Sequence, residues 1–230
     1  MKKLHILVFI ISSWFGVQCY AQQSTDTIKR QELYGIRIGI DVSKPIITFF
    51  DTQNKGIEMV SDIRILNNYY LAAEIGNVTK TTNEDYINFT TKGSYIKVGF
   101  NYNAYKNWIG MRNEIYVGLR YGISFFSQTL NNYTPNSNGT YFNTPQINPN
   151  TKFSGLTAQW YAFVFGMKVE TFKNLYLGTS VSFNKMISTK EPENFKNLYV
   201  PGFNRVFLNN SGVSFNYTLS YLIPIIKKKK

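Results

Sequence analysis

The sequence predicts an all-β fold, an eight-stranded antiparallel up-and-down transmembrane barrel preceded by a signal peptide. Apolar residues alternate with polar or small ones in eight segments, the two faces so defined differ sharply in charge, and the connections alternate between short and long. Composition agrees, because 230 residues with 43% hydrophobic, 17% aromatic and 17% charged side chains are too apolar for a disordered chain. The length suits one barrel.

The first residues read as a secretory signal. Met1, Lys2 and Lys3 form a basic start, and Leu4 to Val17 an apolar stretch too short to span a bilayer as a helix. Cys19 and Ala21 place small residues at the third and last positions before a cut between Ala21 and Gln22. Cys19 also admits a lipoprotein reading, against which Gln18 stands where a small residue is required. The expected organisation is a signal over 1–21, a polar periplasmic lead over 22–32, the barrel over 33–226 and a basic periplasmic tail over 227–230.

Cleavage has a chemical consequence. His5 and Cys19 are the only histidine and cysteine, so a chain starting at Gln22 has no imidazole base, thiol nucleophile, disulfide or zinc site on those ligands. Ser-His-acid and Cys-His catalysis are excluded. Losing Lys2 and Lys3 lowers the formal net charge from +12 to +10. No residue qualifies as catalytic, cofactor-binding or metal-ligating, and no cofactor is expected.

The first strand is expected over 33–43, where Tyr34, Ile36, Ile38, Ile40 and Val42 alternate with Gly35, Arg37, Gly39, Asp41 and Ser43; period two places successive side chains on opposite faces. Seven more are expected near 56–65, 69–78, 92–105, 113–127, 155–170, 175–186 and 211–223. No stretch offers a helical apolar stripe, so no helix is expected.

One face carries residues such as Ile96, Val98, Phe100, Ile115, Leu119, Phe163, Phe165, Phe215 and Tyr217 and is almost free of charge. The other interleaves Gly99, Gly118, Gly122, Gly166 and Gly178 with Arg37, Asp41, Glu58, Asp62, Arg64, Glu74, Lys97, Glu114, Arg120, Lys168 and Glu170. A membrane barrel turns the first face to lipid and the second to its lumen. A lipocalin-like soluble barrel would do the reverse, with the apolar face lining a ligand cavity. Strand lengths favour the membrane, since most reach the ~9–11 residues a tilted crossing needs. Tyr69, Tyr102, Tyr105, Trp108, Phe125, Phe126 and Tyr221, near strand ends, read as interfacial girdles.

The connections at 66–68, 106–112 and 171–174 are short, whereas those at 44–55, 79–91, 128–154 and 187–210 are long and rich in Asn, Pro, Thr and Lys. Short periplasmic turns and long extracellular loops fit this alternation, with both termini periplasmic.

Taken together, the chain resembles the small eight-stranded outer-membrane barrels of Gram-negative bacteria, similar in architecture to the outer-membrane protein A and X types. The segments Tyr34-Gly35-Ile36-Arg37, Lys92-Gly93-Ser94-Tyr95-Ile96-Lys97 and Tyr116-Val117-Gly118-Leu119-Arg120-Tyr121-Gly122 resemble an uncharacterised barrel family with a domain of unknown function. That likeness brings no activity with it. The last strand resembles the signal read by the barrel-assembly machinery, through Asn210, Gly212, Phe215 and Tyr217, but ends in Lys227 to Lys230 instead of an aromatic residue.

The eleven inward charges read as a salt-bridged lumen, since eight strands enclose a space just wide enough for side chains to fill. The third long loop has no charged residue up to Thr151, carries seven Asn and three Pro between Asn131 and Asn150 and offers Tyr133, Tyr141 and Phe142 as contacts for a surface glycan or protein, or forms a hydrated cap. Lys106, Arg112, Lys173 and the lysine tail fall on the periplasmic side, where anionic headgroups attract them. Expected partners are outer-membrane lipid, the assembly machinery and a surface ligand; a nucleic acid is not expected. The function read from these features is non-enzymatic, in envelope structure or surface interaction. A periplasmic lipocalin-like carrier and a lipid-modifying barrel enzyme, using Glu58 and Asp62 or Ser180 and Ser182 beside Lys168, are the alternatives.

Overall fold

The computed structural model describes residues 31–106, 112–135, 145–192 and 195–229. The expected signal, Trp108, Tyr141 and Phe142 lie outside the described residues. The elements are β1 (Gln31–Asp41), α1 (Ser43–Phe50), β2 (Asn54–Arg64), β3 (Tyr69–Glu84), β4 (Ile87–Asn103), β5 (Glu114–Tyr133), β6 (Thr151–Phe172), β7 (Leu175–Thr189), β8 (Tyr199–Val200), β9 (Asn204–Arg205) and β10 (Ser211–Lys229). Eight strands close into an antiparallel barrel in the order β1-β10-β7-β6-β5-β4-β3-β2. Each neighbour in sequence is a neighbour in the ring, apart from the pairing of β1 with β10 that closes it, so the barrel is up-and-down and leaves no free edge.

The faces divide as the alternation requires. Along β5, Ile115, Leu119, Tyr121 and Phe125 point outward and are exposed, while Glu114, Tyr116, Arg120 and Ser124 are buried inside. The outward apolar belt recurs as Ile96, Val98 and Phe100 on β4 and as Phe163, Phe165 and Met167 on β6. Stretches of this length match a membrane crossing. An apolar exterior around a charged interior is the inverse of a lipocalin, so the soluble-carrier arrangement is not the one adopted.

Several strands run on beyond the belt, and there the pattern inverts. Asn77, Ser94 and Ser127 replace the outward hydrophobes, while Val78, Phe89, Phe126, Leu156 and Trp160 are buried inside. A wall standing clear of lipid meets water, so it keeps its polar face out and packs an ordinary apolar core within.

Four expectations need correction. The connection at 79–91 is mostly strand, since β3 and β4 pair as far as Glu84 with Ile87; only Asp85 and Tyr86 form the turn. The connection at 187–210 folds into the lumen, burying Phe195, Tyr199, Val200 and Phe203 against the inner wall, with the β8-β9 hairpin as its scaffold. The basic tail continues β10, with Lys227, Lys228 and Lys229 paired to Leu33, Glu32 and Gln31. Finally, α1 occupies the first long connection. Asp41 accepts bonds from the Ser43 N–H at 2.9 Å and its hydroxyl at 2.6 Å, Pro45 sits in the first turn where its missing N–H costs nothing, and the Val42 N–H bonds the Tyr217 carbonyl at 2.7 Å.

Candidate functional site

The lumen is filled in two layers. In the layer level with the belt, the inward charges sort into two clusters, each with two bases and two acids. Arg37 is the centre of the first: its Nε donates to Asp62 at 2.7 Å and its Nη2 to Glu114 at 2.8 Å. Its guanidinium lies 5.0 Å from the Tyr70 ring centre and 5.1 Å from that of Tyr176, which suits a planar, weakly hydrated cation. Lys168 bonds the other Asp62 oxygen. In the second cluster Lys97 lies 2.5 Å from Glu74 and 3.3 Å from Glu58, while Arg120 donates to Glu74 at 3.1 Å, to the Asn101 side chain at 2.8 Å and to the Phe100 carbonyl at 2.9 Å.

The remaining inward charges lie at the ends of this layer. Asp41 is fully buried and held by neutral donors: Ser43, the Tyr217 N–H at 3.1 Å and Asn216 Nδ2 at 2.8 Å. The same Asn216 amide donates to Glu58 at 3.0 Å, so one side chain ties Asp41 to the second cluster. Arg64 sits beside the 66–68 turn, donating to the Asn67 carbonyl and stacking on Tyr34. Glu170 lies by the opposite turn of the same end, 3.7 Å from Arg112 and accepting from the Asn174 N–H at 2.8 Å; Asn174 takes the left-handed conformation that asparagine tolerates.

Ions buried in this way need all their partners, since desolvation of each charge is offset only by good geometry and full hydrogen bonding. The two clusters meet that condition. Between them is a space of about 30 Å³ bordered by Arg37, Asp62, Glu74, Arg120, Lys168 and Ser180, about the volume of one water molecule. Glu58 and Asp62 belong to different clusters, and Ser182 is paired across the wall with Ser214.

The second layer is apolar and was not anticipated. Trp160 is fully buried with its ring edge-on to Phe203 at 5.8 Å, and Phe89 meets Phe195 at 5.6 Å. Phe126 belongs to this core and not to a girdle; adjacent to outward Phe125, it must point inward. Tyr69 and Tyr102, paired at 5.2 Å, are exposed on the outer face, as are Phe125 and Tyr221. Several inward glycines make room for rings: a Cβ on Gly122 would lie 2.8 Å from Trp160 Nε1. The Gln128 amide donates to the Tyr199 carbonyl at 3.1 Å and Asn184 to the Phe203 carbonyl at 3.0 Å, fastening the inserted segment to the wall. Burial and the nearby Glu58 push the Tyr199 phenol well above its ordinary range, so it stays neutral. Of the expected loop contacts, Tyr133 is half-buried, with its N–H and carbonyl bonded to Ile147 at 2.9 Å.

A closed barrel with a lipid-facing belt and a charge-paired, capped lumen defines the class: a small transmembrane β-barrel. Within it, the chain belongs to the family described as Domain of unknown function (DUF6048), whose model matches residues 1–228. No curated protein matches it. Among solved structures it is similar to Ail, the attachment invasion locus protein of Yersinia pestis, at 10% identity and a TM-score of 0.41, covering 85% of this chain and 99% of that one. It is also similar to CarO2 of Acinetobacter baumannii at 10% identity and a TM-score of 0.37, covering 84% and 100%.

Proposed function

We propose that the protein is a non-enzymatic integral barrel of the outer membrane, with periplasmic termini, whose sealed lumen passes no solute and whose outward end serves envelope structure or surface interaction. The observation that carries this reading is the inversion along the strands: apolar-out and charged-in within the belt, polar-out and apolar-in above it. Only a wall that passes from lipid into water calls for both patterns. The long connections from β1 to β2, β5 to β6 and β7 to β10 share one end and support the orientation, since Arg112, Lys173 and the paired chain ends lie at the other. The barrel-assembly machinery is the partner during insertion, and Tyr133 with the neighbouring connection is the surface offered to a glycan or protein.

Electrophoresis of the outer-membrane fraction with and without boiling tests the reading, because a closed barrel resists detergent until heated. A heat-dependent shift in that fraction is expected. Recovery in the soluble periplasmic fraction without a shift would overturn it.

A further inference from the structure

Just above the lipid-facing belt, the outer wall formed by β3 to β6 carries an open groove of about 490 Å³. Its polar lining is Asn77, Lys92, Ser94, Ser127, Lys152 and Thr157, with no carboxylate among the described residues that border it. The hollow has a local cause. The pairing of β5 with β6 slips between Phe126 and Gln128, and at this bulge Gly155 takes φ +70 with nothing within 4 Å of the place where a Cβ would stand. A bulge led by a glycine in this conformation re-aims its neighbours and removes side-chain bulk from the wall.

The charges flank that hollow. Lys92 on β4 pairs with Ser127 and Lys152 on β6 with Thr129, so the two lysines stand on either side of β5, offset by two residues along it and about 12 Å apart at the backbone. Both are exposed, and their stems are long enough to converge above Ser127. Asn77 donates to the Ser94 hydroxyl at 2.8 Å, and a hydroxyl that accepts in this way can still donate its own proton. Directly below is exposed Phe125, the last apolar residue of the belt on β5. Two cations and hydroxyl donors above an apolar surface match an amphiphile with an anionic head and acyl chains.

We propose that this groove binds the phosphorylated headgroup of an outer-leaflet lipid, with Lys92 and Lys152 holding the phosphates and the acyl chains lying along the belt at Phe125. The inference rests on the membrane orientation given above. Its probe is bis-phosphorylated lipid A, titrated into the full barrel in neutral detergent and read by native mass spectrometry. The double variant Lys92→Gln/Lys152→Gln is expected to bind about thirtyfold more weakly, as two lysines facing an anionic surface imply, and lipid A stripped of its phosphates should lose affinity for the unaltered protein to a similar degree. Lys173→Gln, at the opposite end, should bind as the unaltered protein does. Equal binding by the double variant, or by the dephosphorylated lipid, overturns the site; inorganic diphosphate binding as tightly as the lipid overturns the lipid as its occupant. The heat shift is read on the same samples. If it is present without selective binding, only the site fails; if it is absent from the unaltered protein, the membrane reading fails first.

Discussion

Gly202 lies flat against the ring of Tyr95. The glycine takes φ +80, and a Cβ there would fall 2.5 Å from Tyr95 Cγ, while the phenol on the far side of that ring donates to Glu58. Tyr95 therefore joins the two layers of the lumen: its ring supports the inserted segment and its hydroxyl belongs to the second charge cluster. Gly202→Val combines a disfavoured backbone conformation with a clash. It is expected to displace the segment 195–206 and, by loosening the backbone around the exposed Lys196, to speed trypsin cleavage there while the barrel keeps its heat-dependent mobility. Tyr95→Phe should do the opposite, leaving the rate of cleavage at Lys196 unchanged but lowering stability by about 1.5–3 kcal/mol, as loss of a hydrogen bond to a charged group does. Limited proteolysis and urea unfolding in lipid separate the two.

Arg37 serves two acids at once. Arg37→Met leaves Asp62 and Glu114 facing each other with only Lys168 nearby, and breaking a buried pair from one side costs about 3–5 kcal/mol. Arg37→Lys should recover little, because an ammonium neither spans both carboxylates as the fork does nor fills the slot between Tyr70 and Tyr176. The double variant Arg37→Met/Glu114→Gln is expected to regain part of the loss by removing the stranded charge. Unfolding midpoints of the three variants in lipid give the order.

The inward glycines predict a rescue. Gly122→Ile should fold poorly, since its side chain would occupy the place of the Trp160 ring. Trp160→Ala vacates that place, at a cost of about 3–5 kcal/mol alone. The two together should be more stable than the sum of their separate losses requires. Strict additivity in a double-mutant cycle would mean that the glycine answers to the backbone and not to the ring.

How much of this was legible in the sequence depended on where a residue stood relative to lipid. Within the belt, Ile96-Lys97-Val98-Gly99-Phe100 contrasts so strongly from one residue to the next that strand, face and lumen charge follow directly. Above it, Thr79, Thr81 and Asn83 face outward while Lys80 and Thr82 face inward; hydropathy no longer alternates, and a paired strand reads as a loop. Tyr199, Val200 and Phe203 carried a usable signal, since so apolar a group in a water-facing connection needs somewhere to be buried. The helix α1 carried almost none. Eight residues hold two turns, too few for a period to emerge, and its start is set by Asp41, which the lumen pattern had already claimed.

The two layers also predict the electrical behaviour. Deleting 195–206 and bridging the gap with a short glycine-serine linker removes Phe195, Val200 and Phe203, and with them the apolar cap. The clusters around Arg37 and Lys97 remain below, with about 30 Å³ between them, too little for a continuous file of hydrated ions. The deletion alone is therefore expected to give no conductance steps in planar bilayers. Steps should appear only when the deletion is combined with Arg120→Ala and Glu74→Ala, which take away the side chains crossing the centre while removing one charge of each sign, so that the second cluster keeps its Lys97–Glu58 pair. Steps from the deletion alone would mean that the charge layer is mobile enough to part, and that the inserted segment is the sole seal.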